Sequence, residues 1–339
     1  MKYTHKSKKQ ISILMVLNHL PYGYLLFLFT HKYAIYANKN QAYFLHFICN
    51  FFAFFLQSYN RSGQNASSLY SVEFVTPICN YDDIETIQEL VRKLRGAGAR
   101  VNSSCGLHCH IDASRHTPKT LRNIVNIMAA KEDLLYKALK VNVSREHYCQ
   151  KMDTRFLDEI NNRPPMSMEQ FKSMWYDGED YSYRHYDDTR YHALNLHSVF
   201  YKGTIEFRLF NSTLHAGEVK SAIQLCLAIS HQALIQKSAR HAKTQSDNEK
   251  YTFRTWLLRL GLIGDEFKTA RHHLLKNLDG NIAWKDPVQA EKQKERLAQK
   301  RAAQLNDTVH NTNENININE PESETANEQN DDSGFVMSM

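Results

Sequence analysis

The histidine-rich segment 105–112 is the first part of the sequence with residues suited to chemistry. It reads Cys-Gly-Leu-His-Cys-His-Ile-Asp. Alternate side chains of a strand lie on opposite faces, so His108, His110 and Asp112 would share one face. Neutral imidazoles at positions i and i+2 can bind a metal ion or a phosphate. The alternative is two solvated or hydrogen-bonded histidines on an exposed sheet face.

A second segment, 204–210, combines a carboxylate with an arginine. The same alternation predicts that Glu206 and Arg208 lie side by side on one face of a strand. Glu206 would offer a hard oxygen ligand for Mg²⁺, and Arg208 a planar set of donors for phosphate. The alternative is an ion pair between neighbours on one strand face.

Two further places carry polar residues that could join such a site. Arg190 and Asn195 lie at the start and in the middle of a predicted strand beside segment 204–210. Glu73 is a single carboxylate in an otherwise apolar strand, where it is costly to bury without a partner or a metal ion. If the strands meet, Glu73, Glu206 and one histidine would form a Mg²⁺ site.

Several other chemistries are disfavoured. Structural zinc requires four tetrahedral ligands, usually from two separated pairs, and four candidate ligands within residues 105–110 do not close that geometry. The sequence contains no GxxxxGK[ST] loop, no GxGxxG after a strand, no GxSxG and no HExxH. Six cysteines in 339 residues are too few for a disulfide scaffold, so we expect reduced thiols.

Strand and helix patterns alternate along the body of the chain. We predict strands at 71–76 and 106–112, and a hairpin whose strands 191–199 and 204–210 meet across Tyr201-Lys202-Gly203. Amphipathic or helix-start patterns predict the remaining elements. These are a helix ending at Gly96 to Gly98, a long helix from Thr117-Pro118, and helices at 216–237, 250–277 and 286–304.

Charge is distributed unevenly. Residues 1–72 contain seven basic side chains and no acidic one, which leaves 35 of the 42 basic residues against all 36 acidic ones. The body therefore has no excess positive charge to attract nucleic acid. Three interpretations of segment 1–69 stay open: a signal or membrane anchor, a poorly packed or disordered extension, or a non-native start from a misplaced initiation site or shifted frame.

Four motifs occur in order along residues 70–240. They are Glu-Phe-Val-Thr-Pro from Glu73, Gly-Ala-Arg-Val-Asn-Ser-Ser-Cys-Gly-Leu-His-Cys-His-Ile-Asp from Gly98, Tyr-His-Ala-Leu-Asn-Leu from Tyr191, and Thr-Ile-Glu-Phe-Arg-Leu-Phe-Asn-Ser-Thr-Leu from Thr204. Together they resemble the amidoligase family of glutamine-synthetase-like carboxylate–amine ligases. The Gly-Leu-His-Cys-His and Glu-Phe-Arg elements are also similar to the Gly-x-His-x-His and Glu-x-Arg elements of glutamine synthetase itself.

The resemblance implies a fold and a reaction. The fold would be α+β, with a glutamine-synthetase-like mixed or antiparallel sheet and flanking helices. Such enzymes use ATP and Mg²⁺ to convert a carboxylate to an acyl phosphate, which an amine then attacks to form an amide or peptide bond. The site roles implied are metal binding by Glu73, His108 and Glu206, nucleotide binding by His110, Arg208, Asn195 and Arg190, and catalysis by Arg208 and Glu206.

The sequence departs from the family at its beginning. Members usually start with a strand that carries a Gly-x-Glu-x-Glu element, whereas residues 1–69 contain no acidic residue. We therefore expect the first strand to be missing or replaced, and activity to be impaired or lost. The expected organisation is an atypical segment 1–69, an amidoligase-like domain 70–240, a helical extension 241–304 and a disordered tail 305–339.

Three functions compete. The first is the ATP-dependent ligase, with small-molecule or peptide carboxylates and amines as substrates and no nucleic acid. The second is a non-catalytic interaction protein on the same fold. The third is a metal-dependent hydrolase that uses His108, His110, Asp112 and Glu206. We expect a cytoplasmic protein, and the alternative is a membrane tether through residues 11–56.

Overall fold

The computed structural model describes residues 11–17, 72–103 and 105–314, and it divides the chain into two units. The first unit, 1–285, contains the sheet and most of the helices. In the second unit, 286–339, the described part is a single long helix, Pro287–Glu314.

An antiparallel sheet of five strands lies in the first unit. The strands are β1 (Ile11–Leu17), β2 (Val72–Val75), β3 (Gly106–Asp112), β4 (Leu194–Asn195) and β5 (Thr204–Asn211). Their spatial order is β2-β1-β3-β5-β4, and every neighbouring pair is antiparallel. Because β5 lies between β3 and β4, the sheet brings the histidine segment, the Glu-Phe-Arg segment and Asn195 side by side.

In the first unit helices flank the sheet, and the second unit contributes the last helix. In chain order they are α1 (Ile84–Gly96), α2 (Pro118–Leu139), α3 (Thr154–Asn162), α4 (Met168–Trp175), α5 (His197–Lys202), α6 (Ala216–Ile235), α7 (Glu249–Arg259), α8 (Lys268–Leu275) and α9 (Pro287–Glu314). Short 3₁₀ turns occur at Tyr81–Asp83, Val143–Tyr148, Asp188–Arg190 and Asp265–Phe267.

The central helix α6 organises the core. It packs against β3 and against α1, α2 and α8. Its apolar residues lie on nearly all sides, and Val219, Ile223 and Leu227 are fully buried. A helix that is apolar all round is stable in water only when neighbours cover it. From β3 it receives the apolar face, where Leu107 and Cys109 are buried.

The local patterns of β3 and α2 confirm two predictions. Strand β3 has the predicted bounds, with its apolar residues on one face. Helix α2 begins after Thr117, whose hydroxyl oxygen accepts a hydrogen bond from the backbone N–H of Thr120, and Pro118 occupies its first position. Proline fits there because that N–H has no partner within the helix.

The antiparallel pairing predicted within 191–210 is confirmed, because β4 pairs with β5, but the predicted length of the first strand and the tight connection are wrong. Only Leu194 and Asn195 form a strand, and the chain then turns into helix α5. The side-chain oxygen of Asn195 accepts the backbone N–H of Ser198 at 3.4 Å, which favours this turn over an extended chain. Gly203 ends the helix in the left-handed region, at φ 72°, before β5 begins.

We expected the first strand to be missing or replaced, and the structure has a strand, β1, between β2 and β3. Its sequence, Ile-Ser-Ile-Leu-Met-Val-Leu, carries no carboxylate. The remainder of the atypical segment lies outside the described residues. Helix α9 continues past residue 305, where we expected disorder to begin, and residues 315–339 lie outside the described part. Within the described ranges, no helix combines the length and apolarity needed to cross a bilayer.

Candidate active site

Glu206 is the centre of a buried polar cluster in the middle of β5. Only 4% of the residue is exposed. The cluster, called the Glu206 cluster below, consists of Glu206 with His108, His110, Asn195 and Arg208. Their side chains approach the two carboxylate oxygens from three adjacent strands. The structure thus joins five of the seven residues to which the ligase hypothesis gave a role.

Strand register explains most of this assembly. Glu206 is paired with His110 on β3 and with Asn195 on β4. Directly paired residues of antiparallel strands project to the same face. The Asn195 amide donates to Oε2 of Glu206 at 2.5 Å, and Nε2 of His110 lies 3.5 Å from Oε1. The sheet therefore fixes both neighbours without help from a loop.

Arg208 reaches the same carboxylate from the next position on its own strand face. Its Nη1 donates to Oε1 of Glu206 at 2.8 Å, and its Nε donates to the backbone oxygen of Tyr148 at 3.3 Å. Both ends of the Glu206–Arg208 pair are about 95% buried. The pair is thus a buried, charge-assisted hydrogen bond and not the solvated ion pair that the sequence left open.

A β-bulge lies where Arg208 and His108 meet. Between the pairs Leu107–Phe210 and Cys109–Phe207, two residues of β5 are opposite the single residue His108. A bulge interrupts the ladder and redirects side chains, and it leaves backbone groups that need other partners. The position of Arg208 thus depends on what fills this bulge.

Arg145 fills the bulge, and sequence analysis did not find it. Its guanidinium donates to the backbone oxygens of Phe210 at 2.5 Å and Arg208 at 2.9 Å. Arg145 is buried, and a Cβ on Gly106 would come within 2.5 Å of its Nη2. Glycine at position 106 therefore leaves the space that the guanidinium occupies. A lone arginine in a polar, irregular segment gives no local signal of such a long-range role.

Two hydroxyl groups contact the ring nitrogen of His110 that does not face Glu206. Its Nδ1 lies 3.0 Å from Oγ1 of Thr204 and 3.5 Å from Oγ of Ser198, and these two hydroxyls are 2.8 Å apart. Ser198 lies on α5, the helix that replaced the predicted second half of a strand. Helix α5 therefore contributes to the orientation of the ring, with Nε2 directed at Glu206.

Charges in the cluster are balanced at neutral pH. Burial acts to raise the pKa of Glu206, but His108 and the charge of Arg208 outweigh it and hold that pKa well below its usual range. Burial, together with the charge of Arg208, lowers the pKa of His108 to about 4. Burial also lowers the pKa of His110, against the opposing effect of Glu206. The cluster thus contains one carboxylate, one guanidinium and two neutral imidazoles.

Two predicted site residues lie outside this cluster. The half-buried Arg190 faces the ring of Tyr186 at 5.2 Å and that of Tyr191 at 5.9 Å, and the Arg208 guanidinium is 5.9 Å from the same Tyr191 ring. Tyr191 therefore lies near both arginines. Glu73 is paired with Val16, and β1 lies between its strand and β3. The membership of Glu73 in a metal site stays a prediction.

His108 and Glu206 have the donor groups that a divalent ion needs. Nδ1 of His108 lies 3.1 Å from Oε1 of Glu206 but is not aligned for a hydrogen bond, so within the described part of the chain this buried atom has no hydrogen-bond partner. A neutral imidazole and a carboxylate oxygen suit several divalent ions, whereas Mg²⁺ prefers oxygen and retains water. Arg208 contacts the same oxygen, so an ion would share Oε1 with the guanidinium.

Comparison with protein families identifies the class. Residues 54–230, just over half of the chain, match the family described as "putative amidoligase enzyme". The chain belongs to the amidoligase family. The match includes the whole Glu206 cluster as well as Arg145 and Gly106. No curated protein matches the chain.

Proposed function

We propose that this protein is an ATP- and Mg²⁺-dependent carboxylate–amine ligase that acts through an acyl phosphate. The observation that carries the proposal is the buried Glu206 cluster, in which a guanidinium and two neutral imidazoles surround one carboxylate. Phosphoryl transfer depends on positioning and on charge stabilisation more than on covalent chemistry by the protein. Family membership supports the ligase assignment.

The reaction would proceed in two steps, phosphorylation of the carboxylate and attack by the amine. A substrate carboxylate oxygen attacks the γ-phosphorus of ATP, the bond to the bridging oxygen breaks, and ADP leaves. An amine nitrogen then attacks the acyl carbon, phosphate leaves with the acyl oxygen, and the nitrogen loses a proton. Amide formation is thereby coupled to the conversion of ATP to ADP and phosphate.

In this proposal Arg208 stabilises charge on the transferred phosphoryl group. Its guanidinium is planar and keeps its charge when buried. Glu206 and the backbone oxygen of Tyr148 fix the guanidinium, and Arg145 holds the bulge that aims it. His110 would contact the phosphates with a neutral ring, and Asn195 and Arg190 the nucleotide or the substrate.

A divalent ion at His108 and Glu206 would neutralise phosphate oxygens, which is the chemistry that such an ion supplies in phosphoryl transfer. Glu73 is the further candidate ligand. The specificity for the two substrates would come from loops of segment 142–188, and a cytoplasmic location fits the use of ATP and the free thiols.

The first test is calorimetric titration of the full chain with Mg·ATP. We expect saturable binding by the wild type and by Arg155→Gln, an arginine that is 84% exposed. We expect Arg208→Gln to bind at least about tenfold more weakly, since it loses a charge-assisted contact to phosphate. Equal binding by Arg208→Gln and the wild type, both folded by circular dichroism, would exclude the assigned role of Arg208.

A non-catalytic interaction protein is the second candidate, and one observation favours it. Strand β1 occupies the place between β2 and β3 without a carboxylate. A folded chain that binds no Mg·ATP would support this candidate. Binding without release of ADP, in a screen of carboxylates paired with amines, would support it as well.

A further inference from the structure

A second group of metal-ligating side chains lies away from the Glu206 cluster. It consists of His215 and Glu218, at the start of α6, and His273 on α8, and it is called the Glu218 cluster below. One potential ligand atom from each residue lies within 4.8 Å of the others. Helices α6 and α8 pack against each other, and this contact brings the three residues together.

The rings of His215 and His273 contact each other beside Gly217. Their centroids are 4.8 Å apart, and a Cβ on Gly217 would come within 2.8 Å of Nε2 of His273. His273 Nδ1 is buried, lies 3.9 Å from Oε1 of Glu218 and, within the described residues, has no hydrogen-bond partner. A buried nitrogen of this kind normally has a protein or water partner. The ring therefore directs an unsatisfied nitrogen towards a carboxylate.

This donor set is typical of zinc-type ions. Two imidazoles and one carboxylate form the protein part of open zinc sites, in which a fourth position takes water or substrate. Ligand atoms around a tetrahedral ion with bonds of about 2.1 Å lie about 3.4 Å apart. The ligand atoms would need to approach one another by up to about 1.4 Å, which side chains that are not fully buried can do by changing rotamer.

Two interactions now occupy part of this donor set. Lys276 Nζ donates to Oε1 of Glu218 at 2.5 Å, and Thr213 Oγ1 donates to Oε2 at 2.6 Å. His215 Nδ1 accepts the backbone N–H of Glu218 at 3.3 Å, at the long end of the hydrogen-bond range. An ion would replace Lys276 as the cation beside Glu218. If it bound Nδ1 of His215, the weak hydrogen bond from the backbone N–H of Glu218 would be lost.

A cavity of about 430 Å³ gives access to the cluster. Glu218 and His273 line it, together with Lys276, Asn277 and the ends of α2 and β5. None of the described lining residues belongs to the Glu206 cluster. The cavity supplies the open space that a free coordination position needs.

We propose that His215, Glu218 and His273 bind a divalent ion of the zinc type, with an open coordination position directed into the adjacent cavity. The site is independent of the proposed ligase reaction. It differs from the Glu206 cluster in its exposure, and its two imidazoles favour zinc-type ions over Mg²⁺.

The test is a titration of the full-length chain with Zn²⁺ by calorimetry, and with Co²⁺ by absorption spectroscopy. We expect the wild type to bind one equivalent more Zn²⁺ than His273→Gln. We expect Glu218→Gln to weaken binding at this site by at least about tenfold, since even the loss of an outer partner of a ligand costs that much. The Co²⁺ ligand-field bands of this site should disappear in His273→Gln and should need a higher Co²⁺ concentration in Glu218→Gln.

The matched control is His272→Gln, which changes the exposed neighbour on the same helix and should leave stoichiometry and affinity unchanged. His108→Gln separates the two clusters, because it removes a candidate ligand of the other site only. The proposal is overturned if the wild type binds no Zn²⁺, or if Glu218→Gln and His273→Gln bind as the wild type does. Glu218 is half-exposed, so its variant also decides the question if His273→Gln does not fold.

Discussion

The Glu206 and Glu218 clusters each place two histidines around one glutamate, but they differ in how much of the carboxylate is already used. In the Glu206 cluster, an arginine, an asparagine and two imidazoles surround a carboxylate that lies in the centre of a sheet. In the Glu218 cluster, a lysine and a threonine hold a carboxylate at the wall of an open cavity.

This difference separates two requirements of a functional site. The strands around Glu206 provide precise orientation, since its main neighbours are fixed by register. The helix ends around Glu218 provide access, since the cavity reaches two of its members. Transferring a phosphoryl group needs the former, whereas taking up an ion from solution needs the latter. Substitutions should therefore cost more stability in the Glu206 cluster than in the Glu218 cluster.

The largest expected difference concerns the loss of each carboxylate charge. Glu206→Gln leaves the Arg208 guanidinium buried without its counter-charge, and breaking a buried pair in this way costs about 3–5 kcal/mol. Glu218→Gln removes a half-exposed partner of Lys276, and such pairs contribute at most about 1 kcal/mol. The measurement is the free energy of unfolding in urea.

Similar losses in the free energy of unfolding for Glu206→Gln and Glu218→Gln would contradict this contrast. A loss of under about 1 kcal/mol for Glu206→Gln would mean that water reaches the cluster. The double variant Glu206→Gln/Arg208→Met provides a control, because it removes both charges and should recover part of the stability.

The next effect is a pH dependence that belongs to His108. Its pKa is about 4 in the folded chain and about 6.5 when unfolded, so the unfolded chain binds more protons between these values. Stability is therefore complete above pH 6.5 and falls as the pH drops towards 4, by about 3 kcal/mol in all. Urea midpoints measured from pH 7 to 4 should show this slope.

His108→Gln should flatten the slope in this window, whereas His272→Gln, an exposed histidine, should keep it. Glu206 acts in a lower window. Because its folded pKa is depressed, its contribution is present above the unfolded value near 4.5 and is lost below it. An unchanged slope in His108→Gln would show that His108 is not the buried neutral group responsible.

Two glycines, Gly106 and Gly217, lie against a side chain at one cluster each. Gly106→Ala places a Cβ 2.5 Å from the buried Arg145 guanidinium, and overpacking of this kind costs about 1–3 kcal/mol. Gly217→Ala meets the edge of the more exposed His273 ring, and alanine gains up to about 1 kcal/mol of helix propensity there. We expect this second variant to keep its stability and lose Zn²⁺ affinity, as measured by urea unfolding and calorimetry.

A larger loss of stability in Gly217→Ala than in Gly106→Ala would contradict the assignment of Arg145 as the residue that holds the bulge. A further readout is Mg·ATP binding, which Gly106→Ala should weaken and Gly217→Ala should preserve. A purely structural role for Arg145 would lower the stability of Gly106→Ala without changing nucleotide affinity in the folded fraction.

Local patterns predicted the part of the site that depends on strand alternation. Segment 106–112 has a strict period of two, so its bounds and its histidine face could be derived from the sequence. The proximity of His110 to Glu206 followed once both segments were expected in one sheet. That expectation came from the family resemblance, because alternation alone does not determine which strands are neighbours.

The elements that were missed depend on contacts distant in sequence. Arg145 acts on backbone oxygens more than 60 residues away, and the bulge that it fills leaves no local pattern. Strand β1 contains one serine among six apolar residues, and a short apolar run of this kind cannot be assigned by periodicity. Helix α5 arises where a side-chain hydrogen bond of Asn195 turns a strand-like sequence.

The smallest expected effect tests the competition at Glu218. Lys276→Gln removes the cation that now donates to Oε1, at a cost in stability of at most about 1 kcal/mol, because this lysine side chain is 39% exposed. Without the competing charge, Zn²⁺ should bind more tightly, by up to about tenfold for a charge a few ångströms from the ion in a solvated setting. Calorimetry of the full chain provides the measurement.

Lys140→Gln, another exposed lysine of the cavity wall, is the matched control and should change affinity less. Equal or weaker binding by Lys276→Gln would mean that Lys276 does not compete with the ion for Glu218, and the ligand set would then have to exclude this carboxylate.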